Sequence, residues 1–174
     1  SRADRHAVRA ELGADTDDVV VMCIANLRRE KALEVLIAAA DRALAEAPAL
    51  RYVLVGQGPL ADEVDAWIAA TGRDRITALG YRDDVPRLLS GADLFTLSSR
   101  HEGLPVAIME AFAHGVPVAA TDVGGIRTAV GDAGLLTPVD DVAALAASHV
   151  LLATDADARA TLAARAVEEA HRFD

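Results

Sequence analysis

Leu94-Phe95-Thr96-Leu97, Ser98-Ser99-Arg100-His101-Glu102-Gly103, Leu104-Pro105-Val106-Ala107-Ile108-Met109-Glu110-Ala111-Phe112-Ala113, and Val116-Pro117-Val118-Ala119-Ala120 follow one another closely in this chain. They read as a short apolar run, a polar loop, a helical stretch stopped by Gly115, and a second apolar run. Two short strands joined through a helix form a βαβ unit, whose strands lie parallel. The same alternation extends in both directions. Upstream, an amphipathic helix is predicted over 1–12, and strands over Val19–Ala25, Arg51–Val55 and Ile76–Leu79. Helices are predicted over Lys31–Ala47, ended by Pro48, over Pro59 to about Thr71, and over Asp84–Leu89. Downstream come Gly124-Gly125, a short strand over Leu135–Thr137, and helices over about 140–153 and 156–171. The expected fold is therefore α/β. It is a Rossmann-like, doubly wound, mostly parallel sheet of about six strands, with helices on both faces and two C-terminal helices closing it. Residues 1–174 read as a single domain.

Composition narrows the function classes. The chain has 174 residues, 52% hydrophobic and 25% charged, which suits one soluble core. Aromatics are only 3%, so Ala, Val, Leu and Ile must fill that core. A formal charge of −10 argues against nucleic acid and against broad binding to anionic membranes, but leaves room for a local phosphate pocket. Cys23 is the single cysteine, so no intrachain disulfide forms, and a reducing, cytoplasmic setting fits. No apolar stretch has the length of a membrane span, and the polar start is no signal peptide. The chain lacks an initiating methionine and stops at Arg172-Phe173-Asp174; we expect a domain of a longer protein.

Ligands of doubly wound sheets lie beyond the carboxyl ends of the strands. Those ends are the loops at 25–31, 56–59, 80–84, 98–104 and 121–126. Glu102 precedes a glycine there, and Glu110 is the only formal charge in an apolar helical run. A carboxylate in such surroundings is costly to bury without a partner, and it can accept paired hydroxyls such as those of a ribose. Helix-start amides after Gly103 suit an anion. Asn26-Leu27-Arg28-Arg29-Glu30-Lys31 gathers three cations in an acidic chain. Lys31, read at a helix start, opposes the helix dipole and so calls for a nearby anion. Gly56-Gln57-Gly58-Pro59-Leu60-Ala61 matches the G-x-G-x-x-[GA] dinucleotide pattern, with Asp83 and Asp84 at about ribose-acid distance. That pattern follows the second predicted strand, and a tight turn explains it as well. Asp15-Thr16-Asp17 and Asp155-Ala156-Asp157 have a metal-diphosphate form but sit where aspartates cap helices. The five histidines have no zinc-like spacing, and Ser98 and Ser99 lack a nucleophile elbow.

Together these segments resemble the C-terminal, donor-binding domain of retaining family-four glycosyltransferases, also called group 1, which have the two-Rossmann GT-B architecture. The resemblance covers nearly the whole chain. It rests on the E-x7-E pair Glu102 and Glu110, on Val55-Gly56-Gln57-Gly58-Pro59, on Ala92-Asp93-Leu94-Phe95, on Gly124-Gly125, and on Lys31-Ala32 in place of a Lys-Gly helix start. It implies that Lys31 binds the donor diphosphate, Glu110 holds the ribose, and Glu102 contacts the transferred sugar. Backbone groups of Gly103, Leu104, Pro105 and Val106 would meet the distal phosphate and sugar. Gly80, Tyr81 and Arg82 would lie by the nucleobase, and Asn26, Arg28, Gly56 and Gly58 would complete the donor site. Departures from the family pattern are Asn26 for an arginine, Ala32 and Pro105 for glycines, and Thr128 for a glutamate.

The resemblance implies a metal-independent, retaining hexosyltransferase with a UDP- or GDP-type sugar as substrate and no resident cofactor. Glu102 and Lys31 would be its catalytic residues. The acceptor side, and any peripheral membrane association, would come from an absent N-terminal domain, so this chain alone would bind donor without transferring it. Two alternatives stand beside this reading: an NAD-type oxidoreductase domain, and a non-catalytic Rossmann-like domain.

Overall fold

The computed structural model describes residues 2–172. Six strands form one sheet: β1 (Val19–Ile24), β2 (Leu50–Val55), β3 (Ile76–Ala78), β4 (Leu94–Leu97), β5 (Val118–Thr121) and β6 (Gly134–Thr137). Their order is β3-β2-β1-β4-β5-β6, and every neighbouring pair is parallel. The strand order reverses between β1 and β4, so a crevice opens beyond their carboxyl ends. The helices are α1 (Arg2–Glu11), α2 (Leu33–Glu46), α3 (Ala61–Thr71), α4 (Val85–Leu89), α5 (Val106–Ala113), α6 (Gly124–Val130), α7 (Val142–Thr154) and α8 (Ala156–Arg172).

Both faces of the sheet are covered, which is why β1, β4 and β5 are mostly apolar and buried along nearly their whole length instead of alternating. The core is chiefly Val, Leu, Ile and Ala, with Tyr52, Phe95 and Phe112 as its large aromatic members. The Asp93 carboxylate anchors α1: it accepts from Arg5 at 2.5 Å, from Arg9 at 2.8 Å, and from the Val20 amide at 2.9 Å.

His149 on α7 is fully buried against the sheet. Its Nδ1 lies 2.7 Å from the Tyr52 hydroxyl and its Nε2 lies 2.9 Å from Thr96 Oγ1. Thr96 donates its own proton to the Ala119 carbonyl at 2.8 Å, so it accepts from Nε2–H, and Nδ1 accepts from Tyr52. One neutral tautomer satisfies all three groups. Burial pushes the imidazole down to about 3.

The structure departs from the sequence expectation in four places. The Gly124-Gly125 loop is the first turn of α6, whose Ile126, Ala129 and Val130 are buried. The α2 helix begins at Leu33; Lys31 ends a preceding 3-10 turn over Arg29–Lys31. The dipole argument for Lys31 therefore falls, because the left-handed Ala32 separates it from the helix (φ 49°). Helix α5 begins at Val106, with Leu104 and Pro105 outside it, and α3 begins at Ala61, with Pro59 in the turn before it.

Candidate functional site

The carboxyl ends of β1 and β4 deliver Lys31 and Glu102 to one point. Lys31 Nζ and Glu102 Oε2 are 2.8 Å apart, with side chains only 17% and 11% exposed. The serines that end β4 set this geometry. Ser98 Oγ lies 2.8 and 2.9 Å from the carbonyls of Lys31 and Ala32, its one proton shared between them, and so braces the left-handed turn. Ser99 Oγ donates to Glu102 Oε2 at 3.0 Å, and the Ser99 carbonyl accepts from Thr121 Oγ1 at 2.6 Å. Without a nucleophile elbow both serines look inert in the sequence, and their role is to position the acid and the turn. Two hydroxyls that directly follow the apolar run Leu94–Leu97 and precede the acid are the signal the sequence offers.

Arg100 fastens the same loop to three other elements. It bonds Glu34 on α2 at 2.7 Å, Asp140 in the turn before α7 at 2.7 Å, and the Arg29 carbonyl at 3.4 Å. The Glu102 carbonyl accepts from the Gly125 amide at 3.2 Å. This crossing is so close that a Cβ on Gly125 would fall on the Gly103 carbonyl. Gly56 (φ 146°) and Gly58 serve the same end on the other side. A Cβ on either would run into the backbone of Ala25 or Leu27. The glycines of the dinucleotide-like pattern thus pack two turns together. Asp84, offered there as a ribose acid, is spent on Arg82 at 2.7 and 2.9 Å.

A cleft of about 450 Å³ opens at the β1–β4 junction. Of the residues expected at a donor site, Asn26, Lys31, Gly56, Tyr81, Arg82, Glu102, Leu104, Pro105 and Val106 line it. Beside it is a recess of about 490 Å³, lined by Glu30, Arg100, His101, Gly103 and Gly124. Lys31 and Glu102 line both spaces and so form their shared wall. Arg28, Gly58, Gly80 and Glu110 line neither. Arg28 is exposed at the start of the 3-10 turn. Glu110 stands one helical turn beyond the cleft-lining Val106 and Ala107, on their face of α5. Pro105 has no N–H, and the Val106 amide donates to the Leu104 carbonyl at 2.9 Å. The amides of Leu104 and Ala107 remain the donors in this turn for an anion.

Charges around the cleft are largely paired. Arg82 bonds Asp84 and also Glu11 on α1 at 3.0 Å, and these carboxylates, Asp84 foremost, hold its guanidinium more firmly protonated than usual. Burial drives the Cys23 thiol up to about 12, so it is no nucleophile. Asp155 caps α8 through the Ala158 amide at 2.9 Å, the structural use of its D-x-D. Among the described residues, no group of three or more His, Cys, Asp or Glu side chains is placed to hold a metal ion. No helix there is long and apolar enough to cross a membrane.

Comparison with known proteins gives this arrangement a context. The profile of the family described as Glycosyl transferases group 1 matches residues 18–155. N-acetyl-alpha-D-glucosaminyl L-malate synthase of Bacillus anthracis is 30% identical over 173 residues, covering 98% of this chain and 45% of its own length. D-inositol 3-phosphate glycosyltransferase of Stackebrandtia nassauensis is 36% identical, covering 98% of this chain and 42% of its own length. The chain thus spans less than half the length of these curated relatives. Among solved structures, Anabaena Alr3699/HepE in complex with UDP and glucose superposes with a TM-score of 0.91 at 29% identity. It covers 100% of this chain and 49% of its own. The same protein has been solved with UDP-glucose.

Proposed function

The chain belongs to the group 1 glycosyl transferases, and on that premise we propose that its cleft binds the nucleotide-diphosphate sugar donor of a transfer reaction. The observation that carries this reading is the Lys31–Glu102 pair at the wall between cleft and recess. The nucleoside occupies the cleft, with its base against the exposed Tyr81 and its ribose toward Glu110. The diphosphate lies at Lys31 and the amides of Leu104 and Ala107. The sugar enters the recess beside Glu102, His101 and Gly103. Nucleoside diphosphates with a uracil base are the first choice, since Alr3699/HepE was solved with UDP and UDP-glucose.

In transfer, the bond between the anomeric carbon and the diphosphate oxygen breaks and the electron pair leaves on the phosphate, while an acceptor hydroxyl oxygen bonds to the anomeric carbon and its proton passes to the departing phosphate. Lys31 and the turn amides face that developing charge, and donors fixed in advance are usually a large part of such catalysis. Protein cations supply this stabilisation, so the proposal needs no metal or resident cofactor. Glu102 orients the sugar through its hydroxyls and forms no bond to carbon; transfer is proposed to retain configuration. The acceptor is proposed to bind an additional N-terminal domain, so these 174 residues bind donor and transfer little. A cytoplasmic setting stays with this reading and rests only on the single buried thiol.

Calorimetry with UDP, GDP, ADP and their sugars tests the proposal. At least one nucleoside diphosphate should bind, and Lys31→Ala should lose about 1.5–3 kcal/mol of that affinity, the worth of a charge-assisted bond. Binding of NAD in place of every nucleoside diphosphate would overturn it.

A further inference from the structure

Lys31 is not a free cation awaiting phosphate. Its ammonium already has a carboxylate at 2.8 Å, and both groups are mostly withdrawn from water. The carboxylate is held there. Glu102 Oε2 accepts one hydrogen bond from the Lys31 ammonium and another from the Ser99 hydroxyl; Ser99 is fully buried and its carbonyl is fixed by Thr121. Swinging Glu102 aside would leave a buried hydroxyl unpaired. Any diphosphate that reaches Lys31 therefore arrives next to a fixed negative charge in a weakly screened place. Oε1 accepts no hydrogen bond from the described residues and remains open to a ligand's hydroxyl.

The two states of a donor differ at this point. A terminal phosphate in a free nucleoside diphosphate carries an ionisable oxygen that the sugar ester lacks. It brings extra negative charge beside Glu102 and no donor for Oε1. The ester brings less charge, and its sugar brings hydroxyls. Resting on the donor reading above, we infer that Glu102 is the resident counter-ion of Lys31 and thereby sets the site against the spent nucleotide in favour of the intact donor. The same contact that orients the sugar thus assists release of the product. Ser99 is the positioning residue that keeps the carboxylate in this place.

The test is the ratio of two affinities, free UDP over UDP-glucose, measured by calorimetry on the 174-residue chain and on Glu102→Gln. The isosteric amide keeps an acceptor for Ser99 and removes the charge. Free UDP should bind more tightly to the variant, and the ratio should shift toward UDP by about tenfold, since facing like charges are costly. A Glu102→Ala variant, judged on the same ratio, serves if Glu102→Gln is poorly folded. Equal weakening of both ligands, with the ratio unmoved, would mean that Glu102 merely holds Lys31 in place and would overturn the inference. If no nucleoside diphosphate or nucleotide sugar binds the unaltered chain, the donor reading fails and takes this inference with it.

Discussion

Tyr81 is 64% exposed at the mouth of the cleft, on a loop that is nevertheless fixed. Its neighbour Arg82 spans from Asp84 to Glu11 on α1 and so holds the loop from below. An exposed ring on a held backbone makes a stacking platform, and sequence-tolerant stacking on a base is worth about 1–3 kcal/mol. Tyr81→Ala should weaken nucleoside diphosphate binding by that amount in calorimetry, and Tyr81→Phe should leave it nearly unchanged. Arg82 reads differently in structure than in sequence. Its guanidinium is occupied by two carboxylates, so it serves the nucleobase pocket as a brace and not as a free donor.

At the scale of elements, the site is two turns pressed against two others. The acid loop lies on the start of α6, and the turn after β2 lies on the turn after β1, each contact permitted by missing side chains. Gly125→Ala should destabilise the chain by about 1–3 kcal/mol in urea denaturation, as overpacking does. Gly124→Ala should cost far less, because its Cβ would stand 3.3 Å from the Glu102 carbonyl oxygen, tight but close to ordinary contact. These contacts also mark how far the sequence could be read. The strands were legible because strands covered on both faces read as short, mostly apolar runs, and the loops that carry Lys31 and Glu102 followed from strand direction. Helix α6 was not legible. Two glycines, Ile126, Thr128 and Val130 are poor helix formers, and only the burial of Ile126, Ala129 and Val130 at helical spacing sustains it. The start of α2 was misplaced because nothing local announces that Ala32 adopts a left-handed conformation, which Ser98, distant in sequence, supports. The Lys31–Glu102 contact joins residues from two strands, so no pattern along the chain could give its distance. The roles of Glu110 and Arg28 come from the family pattern alone and stay part of the proposal.

For the molecule as a whole, His149 ties stability to acidity. The folded chain holds it neutral down to about 3, whereas an ordinary histidine takes up a proton near 6.5. Between these values the unfolded chain binds a proton that the folded chain refuses. Stability is full above about 6.5 and falls as pH drops toward 3, by up to about 1.4 kcal/mol per pH unit for this one group. Denaturation midpoints followed from pH 7 to 4 should show that slope, and His149→Phe should remove its share whatever the variant's absolute stability. Charge at long range has a second effect. The chain carries −10 overall, and the lysine in its cleft is already neutralised by a carboxylate at 2.8 Å. The overall field is therefore repulsive to an anionic nucleotide, and the paired lysine inside the cleft offsets it little. Salt, which ordinarily slows the capture of a charged ligand by its receptor, should here quicken it. In stopped-flow mixing the association rate of a nucleoside diphosphate should rise with ionic strength, as screening removes the long-range repulsion.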